Sequence, residues 1–370
     1  MASVERKSNV PMSHPMTSGD GPHSYYKNSN FQKRVLEAAK QKVKEAIEDK
    51  LELNNPGFLG KSGTFCVADF GCSVGPNTII AVQNIVEAVQ RKYDDQQSHQ
   101  QKNSSSLEFQ VFFNDHVNND FNTLFRNLAV PGRFFAAGVP GGFTDRLFPE
   151  ASLHFAHSSY ALQRLSKVPE EVADVNSPAY NKDSIHCTGF SEEVAQAYAA
   201  QFKKDMENFL NARGQELVGG GLMALTIPAT PEGFVSSQTY LGLSNDLLLD
   251  CLMEMVKEGL ITKDKVEAFN LPLYFPPIKE LEAILHNCAY FSVERIDSLA
   301  RHQNKWPVDP SLPSLLRAFA AEVFKQHFGV EIVDSLFERF AKKLAVNYET
   351  YAAKEEPLNT FIVLKRKMNV

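Results

Sequence analysis

The sequence predicts an α/β fold: a mostly parallel sheet with helices on both faces and an α-helical cap. Three observations predict it. Apolar runs at 64–68, 107–113 and 222–227 alternate with stretches of helical periodicity up to about residue 229. The first run passes through Asp69 into a glycine turn, Gly71 to Gly75, and a helix start near Asn77, which is a strand, a tight turn and a helix N-terminus. Residues 230–330 then break the alternation and carry helix patterns with few strands.

The elements follow in order. Residues 1–23 read as a flexible tail. Phe31, Val35, Ala39, Val43, Ile47 and Leu51 recur about every four residues, the mark of an amphipathic helix. A strand at 64–69 and a helix over 77–93 precede a polar loop at 94–106. The second strand, 107–113, ends on Asn114-Asp115, and a short helix spans 119–128. Strands are expected at 133–137 and 153–157. Ser191-Glu192-Glu193 opens a long helix with an N-cap and acids in its first turn, and Gly219 to Gly221 stop it. Helices at 246–258, 278–286 and 313–328 follow, and 292–296 with 360–365 form an antiparallel pair closing the sheet. The core comprises 24–229 with 289–297 and 357–370, and the cap 230–330.

Composition bounds the function. The chain has 370 residues, 43% hydrophobic and 22% charged, the proportions of a soluble globular protein. A formal charge of -6 argues against a nucleic-acid surface, and no run is apolar enough to span a membrane. The polar start carries no secretory signal, and five scattered cysteines without a CxxC pair point to a reducing compartment, the cytoplasm. HExxH, GxGxxG and GxxxxGK[ST] are all absent.

In an open α/β sheet ligands sit beyond the C-terminal strand ends. That rule nominates Asp69 to Asn77, Asp115-His116, Val139 to Phe143 and His157 to Tyr160. An acid before a GxxxG turn suits a ligand with a cationic end, such as the amino acid tail of S-adenosylmethionine; an ordinary turn without ligand is the alternative. Asp115 is placed to accept ribose hydroxyls, or to cap a helix. Gly141-Gly142-Phe143 offers backbone and a ring to an adenine, or a plain turn. His157 reads as a structural histidine at a strand end rather than a base.

At these residues the sequence resembles the plant SABATH methyltransferases. The resemblance rests on five blocks in order: Gly19-Asp20-Gly21 with Ser24-Tyr25 and Gln32; Ala68-Asp69-Phe70-Gly71-Cys72-Ser73 with Gly75-Pro76-Asn77; Phe113-Asn114-Asp115 with Asn119-Asp120-Phe121-Asn122; Gly138-Val139-Pro140-Gly141; and His157-Ser158-Ser159-Tyr160. It covers residues 16–365, and the wording looks closest to the loganic and farnesoic acid members. It implies a Rossmann-like class I methyltransferase sheet and methyl transfer from S-adenosylmethionine to a small plant acid, an iridoid, terpenoid or phenolic. Nitrogen methylation of a heterocycle is the alternative, and a non-methylating protein retaining the site is a third reading. Tyr25 and Ser29 would border the methyl donor; Asp69, Gly71, Cys72 and Asn77 its methionine end; Asp115 and His116 the ribose; Gly142 and Phe143 the adenosine. Many members have Ser in place of Gly142.

The resemblance also implies an acceptor site at Gln32, Tyr160, Gln163 and Arg164. Carboxyl-methylating members place a Trp at the position of Arg164, and the single Trp here, Trp306, is far along the chain. Arg164 either grips an anionic group or turns away. Phe234, Tyr240, Leu315, Leu316, Phe319 and Phe324 are expected in the pocket wall. Some members bind a divalent ion, and Asn181, Glu267, the Phe269 carbonyl and Asn270 match those positions; all-oxygen ligation suits magnesium. A homodimer is expected, with no nucleic acid or membrane partner. A carboxylate is already ionised at neutral pH, so no general base is assigned.

Overall fold

The computed structural model describes residues 14–55, 57–60, 63–99, 107–128, 132–299, 311–347, 349–350 and 358–368. Residues 1–13 of the expected tail and Trp306 lie outside the described residues. Seven strands, β1 (Thr64–Phe70), β2 (Glu108–Asp115), β3 (Phe135–Pro140), β4 (Leu153–Ser159), β5 (Leu217–Ala229), β6 (Phe291–Ser298) and β7 (Leu358–Arg366), form one sheet in the order β3-β2-β1-β4-β5-β7-β6. Strands β1 to β5 run parallel, and β7 is antiparallel to both β5 and β6. The strand order reverses between β1 and β4, so the crevice at their C-terminal ends is the switch point where α/β sheets hold ligands.

Helix α1 (Tyr25–Asn28) buries Tyr25 against Val74 and Ala318, while α2 (Asn30–Lys50), α3 (Pro76–His99), α4 (Phe121–Arg126) and α5 (Glu192–Glu216) belong to the sheet. Alternate strand residues point to opposite faces. Phe65 and Val67 of β1 pack with Val35, Ala39 and Val43 of α2 and Val82 and Val89 of α3. Ala68 and Phe70 pack on the other face with Tyr198, Phe202 and Phe209 of α5. A third core joins α6 (Tyr240–Lys257), α7 (Lys263–Glu267), α9 (Leu312–Phe328) and α10 (Val330–Val346), whereas Leu281 and Leu285 of α8 (Ile278–His286) pack against the sheet.

Several expectations shift. Helix α3 continues to His99, into the stretch read as a loop. Helix α5 ends at Glu216, because Leu217 is already extended. Gly219 to Gly221 lie inside β5, where the pairing with β4 jumps from Leu153↔Leu217 to Phe155↔Leu222. The extra residues bulge, Gly220 takes φ +81°, and a Cβ on Gly221 would lie 3.0 Å from the Val218 carbonyl oxygen. Helix α6 begins at Tyr240, and α10 extends the helical layer beyond residue 330. Residues 14–23 are strapped down rather than loose: the Thr17 N–H donates to the Ala318 carbonyl at 2.9 Å and the Gly19 N–H to Asp120 Oδ2 at 3.1 Å.

Candidate active site

The turn after β1 is fixed from below. The Gly71 and Cys72 N–H groups both donate to the Asn114 carbonyl, at 2.9 and 3.0 Å. Gly71 takes φ +82°, and a Cβ there would meet the Ala161 Cβ at 2.3 Å, so only glycine fits. Ser73 sits in the left-handed region at φ 52°, and Tyr160 after β4 at φ 56°. Strained backbone at two adjacent strand ends is the kind that persists at functional sites.

Asp69 is buried, and both its oxygens are engaged: Oδ1 lies 2.6 Å from His157 Nδ1, and Oδ2 accepts from Thr78 Oγ1. Asp69 and His157 face each other across the β1–β4 pairing. His157 therefore holds the acid in place at the bottom of the cleft, the structural part expected of it. Asp115 Oδ2 accepts the Ser73 N–H and Oδ1 the His116 N–H, each at 2.7 Å. Burial pushes the Asp115 carboxyl above its ordinary value, against the pull of those two N–H groups.

Asp115, His116, Gly142, Phe143, Tyr25 and Gly71 line one continuous cleft. Asp69, Cys72 and Asn77 line its extension, together with Tyr25 and Gly71. Ser29 does not line either; its carbonyl accepts the Asn77 side-chain amide at 3.0 Å. Beside Gly142 a Cβ would meet only Asp145 Oδ2 at 3.7 Å and Thr144 Oγ1 at 3.9 Å, so a Ser would fit there. The loop after β3 is pinned by a fully buried pair that the sequence reading passed over, Arg213 and Glu216. Arg213 donates to the Phe143 and Asp145 carbonyls at 2.6 and 2.9 Å, and Glu216 Oε1 accepts from the Leu147 N–H and, at 3.0 Å, the Phe148 N–H. The guanidinium also lies 4.1 Å over the Phe70 ring.

A second cavity opens between the sheet and the cap. Gln32, Tyr160 and Gln163 line it with Tyr240, Leu315, Leu316 and Phe319, as expected. Phe234 is exposed and Phe324 is buried within the cap core, so neither forms the wall. Arg164 departs from its expected place: it lines the first cleft and is not part of the lining of the second. One of its nitrogens donates to the Phe319 carbonyl, its Cζ lies 4.0 Å over the Phe319 ring, and burial pulls its pKa down to about 10. Asn245, Leu271, Leu273, Phe275 and Asn359 also line the cavity; the sequence pattern gave no sign of them, because they come from three separate segments.

Five buried polar atoms around the two cavities have no hydrogen-bond partner: Gln32 Oε1, Ser73 Oγ, Asn77 Oδ1, Gln163 Oε1 and Arg164 Nε. Buried polar groups are ordinarily paired. Such a concentration, beside a glycine-built turn, fits a site for a polar ligand.

The positions matched to a divalent ion are tied to neighbouring side chains. Glu267 is held by Lys263 Nζ at 2.7 Å, and Asn181 spends its amide on Asn270 Oδ1 at 2.8 Å. The Phe269 ring packs in the cap core. Among the described residues no group of three or more His, Cys, Asp or Glu side chains is arranged to hold a metal.

A parallel sheet with reversed order at β1/β4, an acid at the end of β1 and another at the end of β2, defines a class I methyltransferase fold. The family model described as SAM dependent carboxyl methyltransferase matches residues 11–367. Loganic acid O-methyltransferase of Catharanthus roseus is 47% identical over 359 residues, covering 96% of this chain and 95% of that protein. Farnesoic acid carboxyl-O-methyltransferase of Arabidopsis thaliana is 39% identical over 352 residues, covering 95% and 98%. The solved structure of loganic acid methyltransferase with SAH superposes with a TM-score of 0.91 at 46% identity, covering 96% of this chain and 99% of that one. The chain belongs to the S-adenosylmethionine-dependent carboxyl methyltransferases of the SABATH family, and S-adenosylmethionine is its cofactor.

Proposed function

We propose that the chain methylates the carboxylate of a small plant acid, an iridoid, terpenoid or phenolic, where the two cavities meet. The observation that carries this is the shared wall: Gln32 lines both the Asp69 end of the cleft and the cap cavity, and Tyr160 lines both the cleft and the cap cavity. Bound S-adenosylmethionine supplies a methyl group on a sulfonium with a neutral leaving group, open to in-line attack by an ionised carboxylate. The protein's own part is to bind, align and exclude water.

In this reading Asp69, Cys72 and Asn77 receive the cationic amino acid end, and Asp115 and His116 the ribose. Gly142 and Phe143 flank the base, with Tyr25 between the halves. Ser29 contributes indirectly, through Asn77. Gln32 orients the acceptor carboxylate at the junction, and Tyr160 is held for contact by its hydroxyl bond to Asn359 and the Phe31 ring at 5.0 Å. No residue acts as a base. Residues 24–229 with 289–297 and 357–370 form the cofactor body and 230–330 the mainly helical cap, a division favoured by the separate apolar core that α6, α7 and α9 share. Magnesium has no part in the transfer, since none of its matched positions lines either cavity.

A homodimer fits the exposed apolar side chain of Phe135 on the edge strand β3, and sedimentation velocity tests it. All five cysteines are free, which suits the cytoplasm. No helix among the described residues is long and apolar enough to cross a membrane.

The test is transfer of labelled methyl to a panel of plant acids by the wild type and Gln32→Met. Ester formation that falls at least about tenfold in the variant, beyond any loss of SAH affinity, supports the reading. Label found on a ring nitrogen, indifferent to Gln32, would sink it.

A further inference from the structure

Arg164 ties three segments together. Its Nη1 donates to the His14 carbonyl at 3.4 Å, and its Nη2 donates to the Phe319 carbonyl and lies 3.6 Å from Met16 Sδ. The root of the side chain is fixed: the Arg164 N–H donates to the Ala161 carbonyl at 3.1 Å, and the backbone bridges to Leu273. The guanidinium thus reaches from the chain after β4 to α9 and to residues 14–16. The planar fork suits this, because it holds several donors in one fixed geometry, where the tryptophan of the carboxyl-methylating members has a single N–H.

Residues 14–17 lie along the cofactor cleft. His14 and Met16 line it with Tyr25, Asp115 and His116. Met16 packs on the cluster of Tyr25, Val74 and Ala318. Thr17 is the second anchor. Its N–H bond to the Ala318 carbonyl fastens the segment to the same helix that holds Arg164, and its own carbonyl accepts the Tyr25 N–H at 3.0 Å. Beyond it the chain turns at Gly19, with φ +76°, and a Cβ on Gly19 or Gly21 would meet nothing within 4 Å. The Gly19 N–H bond to Asp120 fixes the pivot. A glycine turn in open space can act as a hinge, and the two anchors decide whether it does.

We propose that Arg164 is a positioning residue for the cofactor: it latches residues 14–17 to α9 across the cleft, and S-adenosylmethionine and SAH exchange only when the latch opens. This holds whichever acceptor is methylated, because Arg164, His14 and Met16 line the cleft and not the cap cavity.

The test follows tritiated SAH entering and leaving the full chain, by rapid filtration. Arg164→Gln should raise both the association and the dissociation rate by about tenfold or more, the factor that lost charged hydrogen bonds carry, with Arg164→Lys in between. Thr17→Pro removes the other anchor, leaves Arg164 in place and should raise both rates as well. In the double variant the increase should fall short of the product of the two, because both act on one latch. Wild-type rates in either single variant overturn the proposal. So does faster release with unchanged association, which would make Arg164 a direct ligand contact. Asp115→Asn checks where SAH sits: its affinity should drop by about tenfold, and an unchanged affinity would place SAH outside this cleft and overturn the latch on that separate ground.

Discussion

Arg213→Met isolates the loop that flanks the cleft after β3. Both Arg213 and Glu216 have no exposed side-chain surface, and burial pulls the guanidinium below its ordinary pKa while Glu216 holds it up. Removing the cation leaves Glu216 charged and unpaired in the core, a loss of about 3–5 kcal/mol. Unfolding entropy of about 2.1 cal/mol/K per residue gives roughly 0.8 kcal/mol/K for 370 residues, so the expected fall in Tm is about 4–6 °C. The Phe143 and Asp145 carbonyls also lose charged donors, each contributing about 1.5–3 kcal/mol to loop order. SAH affinity should then fall by about tenfold or more. Scanning calorimetry gives the first number and isothermal titration the second. Arg213→Met with Glu216→Gln should recover part of the Tm, because the stranded charge is gone. A single variant that melts within about 1 °C of wild type and binds SAH equally well would refute the reasoning.

Three further outcomes are expected. Gly71→Ala, forced against the Ala161 Cβ at φ +82°, should reduce SAH affinity at least about tenfold by titration, with partial recovery in the double variant with Ala161→Gly. Tyr160→Phe loses the hydroxyl bond to Asn359 and should raise the acceptor KM about threefold to tenfold while SAH affinity holds. His154 accepts the Cys66 N–H at Nδ1 and donates from Nε2 to the Phe58 carbonyl, and burial lowers its pKa below 6.5. Its unfolded form binds the proton first, so this contribution is full above about pH 6.5 and declines below it by at most about 1.4 kcal/mol per pH unit. A His154→Gln variant should show a shallower loss of Tm on acidification, read by calorimetry across that range.

Strand ends were readable in the sequence because apolar runs, acids and glycines fall at fixed places along a βαβ chain. Gly71, Asp69 and Asp115 all stand where that pattern puts them. Gly219 to Gly221 misled, because glycine marks both a helix stop and a strand bulge, and only the β4 pairing decides between them. The Arg213–Glu216 pair had a legible signal. Phe202, Met206, Phe209, Arg213 and Glu216 continue one helical stripe at spacings of three and four, so two charges on an apolar face announced a buried partner set. The orientation of Arg164 had none. Whether a guanidinium faces the cap cavity or the cleft is set by Phe319 of α9, which is distant in sequence. The same holds for Phe234 against Phe319: equal rings, opposite fates.

The position of β7 has a consequence for synthesis. It lies between β5 and β6, so the hydrogen-bonding edge of β5 away from β4 waits for residues 358–366. Leu358 follows Ala229 by 129 residues (358 minus 229), which at about 5–20 residues per second is roughly 6–26 seconds of translation. For that interval the nascent chain carries an open, mainly apolar template along Leu222 to Ile227, the type of edge that recruits other chains. Premature termination before residue 358 leaves it open for good, so C-terminally truncated products should gather with chaperones or in aggregates even though every strand of the parallel half is already made.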